Sequence, residues 1–262
     1  LPRTNLPIAA GLATATCRET AVNNALAEVI ERDAFALAWA TGRSFPPLEV
    51  PKGWVPEGPV GVLATCLYAV PNPFRLPIVL ALVRDREEGL LGVGLACRSD
   101  AVLAARKALA EAAMMLTTSA ELADPAHSVR SALEEAGVIK PYRADRRYME
   151  SYARDWHDVV DLVCHVQLTL DPAYQEAVDR RLHSRRPPRP LNAPVAKASD
   201  LATLLSSHGY RPIVVDITPA DVRAAGLVVV RAIVPGLVTT APAAVPHLGH
   251  YRVRTNLPPP LA

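Results

Sequence analysis

The stretch CRETAVNNALAEVIERDAFALAW, residues 17–39, constrains this chain more than any other. Val22, Leu26, Val29 and Ile30 recur at helical spacing, so the pattern predicts an amphipathic helix from about Glu19 to Trp39. Its polar side carries Glu28, Glu31 and Arg32 just where the helix turns most apolar. On a helix Glu28 lies beside Glu31 at i, i+3 and beside Arg32 at i, i+4. Two carboxylates so placed suit a hard divalent ion, and a guanidinium next to them can fork a phosphate oxygen. A solvated helix face is the plainer reading, and by spacing alone it is the commoner one.

The rest of the chain reads as mixed α and β. VGVLATCLYAV and PIVLALVRD are β-rich, and PNPFRLP between them reads as a hairpin connection. SFPPLEVPKGWVPEGP, before them, is a proline-punctuated loop. GLLGVGLACRS reads as a third strand leading into the alanine-rich helix DAVLAARKALAEAAMMLTTSAEL, with Asp100 as its N-cap. At least two more helices are expected between Ala126 and His183, including MESYARDWHDVVDLVCHVQLTL. Residues 184–195 are basic and proline-rich and read as an extended linker. After it, DLATLLSSHGY, RPIVVDIT, PADVRAAG and LVVVRAIVPG alternate helix and strand, which suggests a β-α-β unit with a buried strand pair. The expected fold class is α+β, with mixed or antiparallel sheets flanked by helices.

With 262 residues, half of them hydrophobic, the chain has ample material for a core. Its net charge of +2 gives no electrostatic footprint for nucleic acid or an anionic membrane. No apolar run approaches the roughly 18 residues of a membrane-spanning helix, and the first residues do not read as a signal peptide. Cys17, Cys66, Cys97 and Cys164 form no CxxC pair and read as reduced thiols of a cytoplasmic protein.

GLATATCRETAVNNALAEVIERDAFALAW resembles the signature of the YcaO family, a G-L-A-x-G opening before a helix ending E-[VIL]-x-E-R-D. GVGLACRSDAVLAARKALAEA, DLVCHVQLTLDPAYQEAV, GLVVVRAIVPGL and HLGHYRVRTNLPPPLA are similar to later segments of that family. The resemblance covers most of residues 1–262 but not the family domain's N-terminal part, which normally supplies further ATP-site residues. It implies a protein that binds ATP with Mg2+ and activates a peptide backbone amide by phosphorylating its oxygen. With a Cys, Ser or Thr side chain as nucleophile, the product is an azoline ring in a ribosomally made precursor peptide. The implied partners are that peptide and a leader-binding protein, and a homo- or hetero-oligomer is compatible with such a role.

By the same resemblance Glu28, Glu31 and Arg32 fall on metal and phosphate positions, with Glu28 and Glu31 the metal ligands. Thr16 stands where the family usually has Asn, and Thr20 where it usually has another metal-binding Glu. Glu111 matches an E-x-x-Q-x-R motif in which Met114 and Leu116 replace the amide and the arginine, and Val238 replaces a frequent polar residue. A proline-rich end is associated with the active site in such cyclodehydratases, which puts Pro258, Pro259 and Pro260 among the candidate catalytic residues. The losses support an alternative: a catalytically silent subunit that binds peptide or a sister enzyme.

Other features have plainer readings. Gly92 and Gly94 form a lone GxG, expected as strand packing. His157 and His165, with Asp158 and Asp161 between them, read as satisfied polar contacts rather than ligands. Met114 and Met115 are core or interface fillers by default, and Cys17 shows no base nearby in sequence.

Overall fold

Residues 78–83 are apolar without interruption, so a strand here must bury both of its faces. The computed structural model shows that arrangement; it describes residues 10–54, 62–191, 200–245, 247, 250 and 252–253. In chain order the elements are β1 (Leu12–Ala15), α1 (Arg18–Ala40), β2 (Pro47–Leu48), β3 (Leu63–Ala69), β4 (Ile78–Asp85), β5 (Leu90–Cys97) and α2 (Ala101–Ala123). There follow α3 (Ser128–Glu135), a 3-10 turn (Tyr148–Glu150), α4 (Leu162–Leu168), α5 (Pro172–Leu182) and α6 (Leu201–Ser207). The last are β6 (Ile213–Asp216), α7 (Ala220–Ala224) and β7 (Val228–Ile233).

Two antiparallel sheets result, β2-β3-β4-β5 and β1-β7-β6. Along β4, Ile78, Leu80 and Leu82 enter one core while Val79, Ala81 and Val83 enter the other. The second core lies under α2, whose Ala104, Ala105, Ala108 and Ala112 let it come close. Gly92 and Gly94 complete that approach, since a Cβ on either would sit 2.0 Å from the carbonyl oxygen of Ala112 or Ala108. The GxG is therefore a packing device, as read. Asp100 caps α2 by accepting from the Leu103 N–H at 2.8 Å.

On the other side of the four-stranded sheet, α1 lies between the two sheets, packed on β7 and β1 and against β5. Ala21, Leu26, Ile30 and Phe35 fill this core with Val230 and Ala232 of β7. A helix enclosed by two sheets buries most of its circumference, which explains the apolar surroundings of its charges.

Three sequence readings need correction. Residues 149–170 are not a helix throughout: Trp156 has a φ of 60°, and helix starts only at α4, capped by Asp161. His157 and His165 consequently share no helix face. His157 is exposed and paired with Asp155, while His165 is buried. The β6–β7 pair is antiparallel, because residues 217–227 with the five-residue α7 are too short for a parallel crossover. Nor is that pair buried as a whole: β6 is an edge strand, with Ile213 and Val215 about half exposed. The proline-rich stretch touches the larger sheet, where Arg189 exchanges backbone hydrogen bonds with Pro47 and Glu49.

Candidate nucleotide and metal site

Because α1 runs between two sheets, its carboxylates meet backbone from both. The Gly11 N–H, just before β1, donates to Glu28 Oε2 at 3.0 Å. The Cys97 N–H, at the end of β5, donates to Glu31 Oε2 at 2.8 Å. The other oxygen of each faces Arg32: Nε lies 3.7 Å from Glu31 Oε1, and Nη2 lies 4.0 Å from Glu28 Oε1. Each carboxylate is thus held at one oxygen by a sheet and directed at one guanidinium by the other. Gly11 is needed for this, since its φ is +88° and a Cβ there would lie 2.2 Å from the Ala232 carbonyl oxygen.

Burial makes the two glutamates unlike. Glu28 is part-exposed, whereas Glu31 is only 5% exposed. Desolvation pushes the Glu31 carboxyl up to about 8, against the pull of Arg32 and the Cys97 N–H. Glu111, on α2, and Glu28 add to the upward push. Glu111 itself is paired with Lys107 Nζ at 2.6 Å.

Of the other predicted positions, Thr16 and Thr20 are exposed near the start of α1, and Thr20 Oγ1 sits 3.1 Å from Cys17 Sγ. That contact holds the Cys17 thiol below its usual range. Met114 is not a core filler, being 62% exposed. Pro258, Pro259 and Pro260 lie outside the described residues.

One residue of the site region escaped sequence reasoning. Asp33, fully buried on α1, accepts the Val238 N–H at 2.8 Å and binds Arg252 through both oxygens at 2.5 and 3.0 Å. Burial pushes its carboxyl upward, opposed by Arg252. Its signal was legible: an Asp in an apolar run with no Lys or Arg three or four residues away must find a distant partner. This pair draws Arg252 onto α1, and Val253 packs beside Ala36 and Leu37.

Beside Arg32 opens a cavity of roughly 430 Å³ between α1, β5, α2 and α4. Leu91, Leu95, Phe35, Val166 and Met115 line it, with Arg32 and Glu111 as its charged groups.

Among the described residues no three His, Cys, Asp or Glu side chains come together as a metal cage. The donor set of Glu28 and Glu31 nevertheless fits Mg2+ held jointly with a phosphate chain. That ion is usually bound by one or two carboxylates, with phosphate oxygens and waters completing its octahedron. Arg32, between the two carboxylates, fits a phosphate oxygen.

Comparison with known proteins identifies a family for the chain. Residues 3–238 match the family model described as YcaO cyclodehydratase, ATP- and Mg2+-binding. No curated protein matches the chain. Among solved structures, the E. coli microcin synthetase McbBCD complex with pro-MccB17 bound aligns at TM-score 0.58 and 13% identity, over 97% of this chain and 63% of that one. A heterocyclase in complex with substrate and cofactor aligns at 0.57 and 16%, over 88% of this chain and 28% of its own length. YcaO from Methanopyrus kandleri bound with AMPPCP and Mg2+ aligns at 0.54 and 18%, over 90% and 57%. At these identities the likeness is one of fold, and the chain spans less than two thirds of each structure.

Proposed function

The chain belongs to the YcaO cyclodehydratase family, and from that premise we propose that it is an ATP-dependent cyclodehydratase forming azoline rings in a ribosomally made precursor peptide. One observation carries the reading: Glu28 and Glu31 are each pinned by a backbone N–H and turned toward the Arg32 guanidinium. Groups held in place in this way need no reorganisation when a phosphoryl group moves, and phosphoryl transfer is mostly positioning and charge neutralisation. When bound, Mg-ATP would supply the phosphoryl group that activates an amide oxygen. Glu28 and Glu31 would hold its metal, Arg32 would take a phosphate oxygen, and the Thr16 and Thr20 hydroxyls would offer secondary contacts. Pro258, Pro259 and Pro260 are proposed to approach the reacting amide. Residues 1–262 would act as a YcaO-like domain, with 184–195 as a linker, together with a partner that grips the leader of the peptide.

A second reading, a silent subunit, is favoured by the burial of Glu31. A carboxyl pushed up to about 8 is a poor metal ligand at neutral pH unless the metal itself displaces the proton. Thermal unfolding separates the two. Mg-ATP at millimolar concentration should stabilise the protein beyond Mg2+ alone, and Glu28→Gln should remove the difference while the fold persists. A wild-type protein that ATP does not stabilise is the silent subunit. Loss of one water per ring from a co-expressed peptide would separate catalysis from binding.

A further inference from the structure

A second cavity, of about 360 Å³, lies on the other side of α1 and shares no lining residue with the one beside Arg32. Leu37 and Thr41 face it, roughly 140–180° round the helix from Glu28 and Arg32. Pro71, Pro73 and Tyr210 complete its walls, and Arg43 and Arg252 are its charged groups. The walls are fixed in advance. Between the two prolines, Asn72 donates to the Val70 and Leu76 carbonyls at 3.2 and 2.9 Å and accepts the Leu76 N–H at 3.0 Å. The Tyr210 ring stands edge-on to buried Phe74 with centroids 5.9 Å apart, and His208 holds Phe74 from another side at 5.1 Å.

No carboxylate lines this space. Arg252 gives two N–H groups to Asp33 and shares one of those nitrogens with the Gly236 carbonyl at 3.2 Å. A guanidinium has five donors, so among the described residues the Nε–H and one Nη2–H of Arg252 are unused. Thr41 turns its hydroxyl back to the Leu37 carbonyl at 2.6 Å. Arg43, exposed just beyond α1, has no ion-pair partner among the described residues. A cation at a helix C-terminus commonly answers the helix dipole. Here Arg181 does so, donating to the Ala38 and Trp39 carbonyls at 2.6 and 3.2 Å. Asp33 balances Arg252, so the cavity keeps the positive charge of Arg43.

We propose that this cavity binds a small organic carboxylate. Its apolar body lies against Leu37, Pro71 and Pro73 beside the Tyr210 ring, and its carboxylate accepts from Arg43 and the unused N–H groups of Arg252. A neutral ligand would leave those donors unmatched, and a bare inorganic anion would leave the apolar wall in water. None of the residues involved belongs to the nucleotide and metal site, so the inference stands apart from the ATP chemistry proposed above.

Titration calorimetry of the full chain with benzoate, its neutral counterpart benzamide, and inorganic phosphate tests this. Benzoate should bind about tenfold or more tighter than benzamide, the gain of one charge-assisted pair, and tighter than phosphate. Arg43→Gln should weaken benzoate about tenfold and leave benzamide unchanged. Pro73→Glu sets a carboxylate at the wall and should abolish benzoate binding. Both positions are exposed, so each variant should keep a cooperative melt, and if one does not, the other decides. Absence of benzoate binding at millimolar concentration, or equal binding of benzoate and benzamide, overturns the assignment. So does undiminished benzoate binding in a folded Arg43→Gln or Pro73→Glu protein. Tighter binding of phosphate also overturns it, because the apolar wall would then play no part. A Mg-ATP titration of Arg43→Gln should match that of the wild type. Loss of Mg-ATP binding in that variant would make the cavity an extension of the nucleotide site and refute a separate one.

Discussion

Glu31 should make the stability of this protein depend on pH in a way that one substitution removes. Its carboxyl titrates near the ordinary 4.5 when unfolded and near 8 when folded, mainly because burial penalises the charged form. A folded-state value raised above the unfolded one means that the folded protein holds the proton more tightly. Its contribution is therefore fully present below pH 4.5, falls as pH rises, and is lost once pH passes about 8. At ~1.36 kcal/mol per pH unit, the interval sets a ceiling of about 5 kcal/mol, and relaxation or water entry brings the expectation to about 2–5 kcal/mol. Glu31→Gln keeps an acceptor for the Cys97 N–H and removes the titration. Urea denaturation of both proteins at pH 5 and pH 9 should give similar stabilities at the lower pH. At pH 9 the Gln variant should be the more stable by that amount. Mg-ATP should narrow the gap, because a bound cation favours the carboxylate of the wild type alone. Parallel pH profiles for the two proteins would refute the claim that Glu31 is buried against β5.

Thr20→Glu restores a carboxylate on the exposed start of α1 and should tighten Mg-ATP binding measured by calorimetry; an unchanged affinity would mean this face holds no metal. Asp33→Ala strands the largely buried Arg252 guanidinium and should cost about 3–5 kcal/mol, lowering the melting temperature by about 6–20 °C for a chain of this size. Gly92→Ala drives a methyl group against the Ala112 carbonyl and should cost at least about 1–3 kcal/mol by urea denaturation. Removing the residues from Leu257 onward should cut cyclodehydration sharply, followed by mass spectrometry of the peptide, with little change in melting temperature; full activity would show that the proline run has no part in catalysis.

What the sequence determined by itself was local. Helical spacing placed α1 and α2 within a residue or two of their observed ends, and Asp100 marked the start of α2 because a cap needs only the next few residues. The uninterrupted apolar run of β4 and the turn residues after β3 announced the hairpin of the larger sheet. The juxtaposition of Glu28, Glu31 and Arg32 followed from helix geometry alone. Where local pattern was ambiguous it misled: residues 149–170 have helical periodicity, yet a left-handed Trp156 breaks them before α4. Tertiary structure decided what those charges experience. Glu31 is buried where Cys97, 66 residues away, brings its N–H to it, and Asp33 finds an ion-pair partner in Arg252, 219 residues away. Glu28 is held by Gly11 only because β1 lies beside β7. The physical reason is that periodicity fixes which side of a helix a group occupies. Whether that side meets water or another backbone depends on elements far away in sequence, and it is this burial that separates a solvated helix face from the enclosed side on which Glu31 and Asp33 lie.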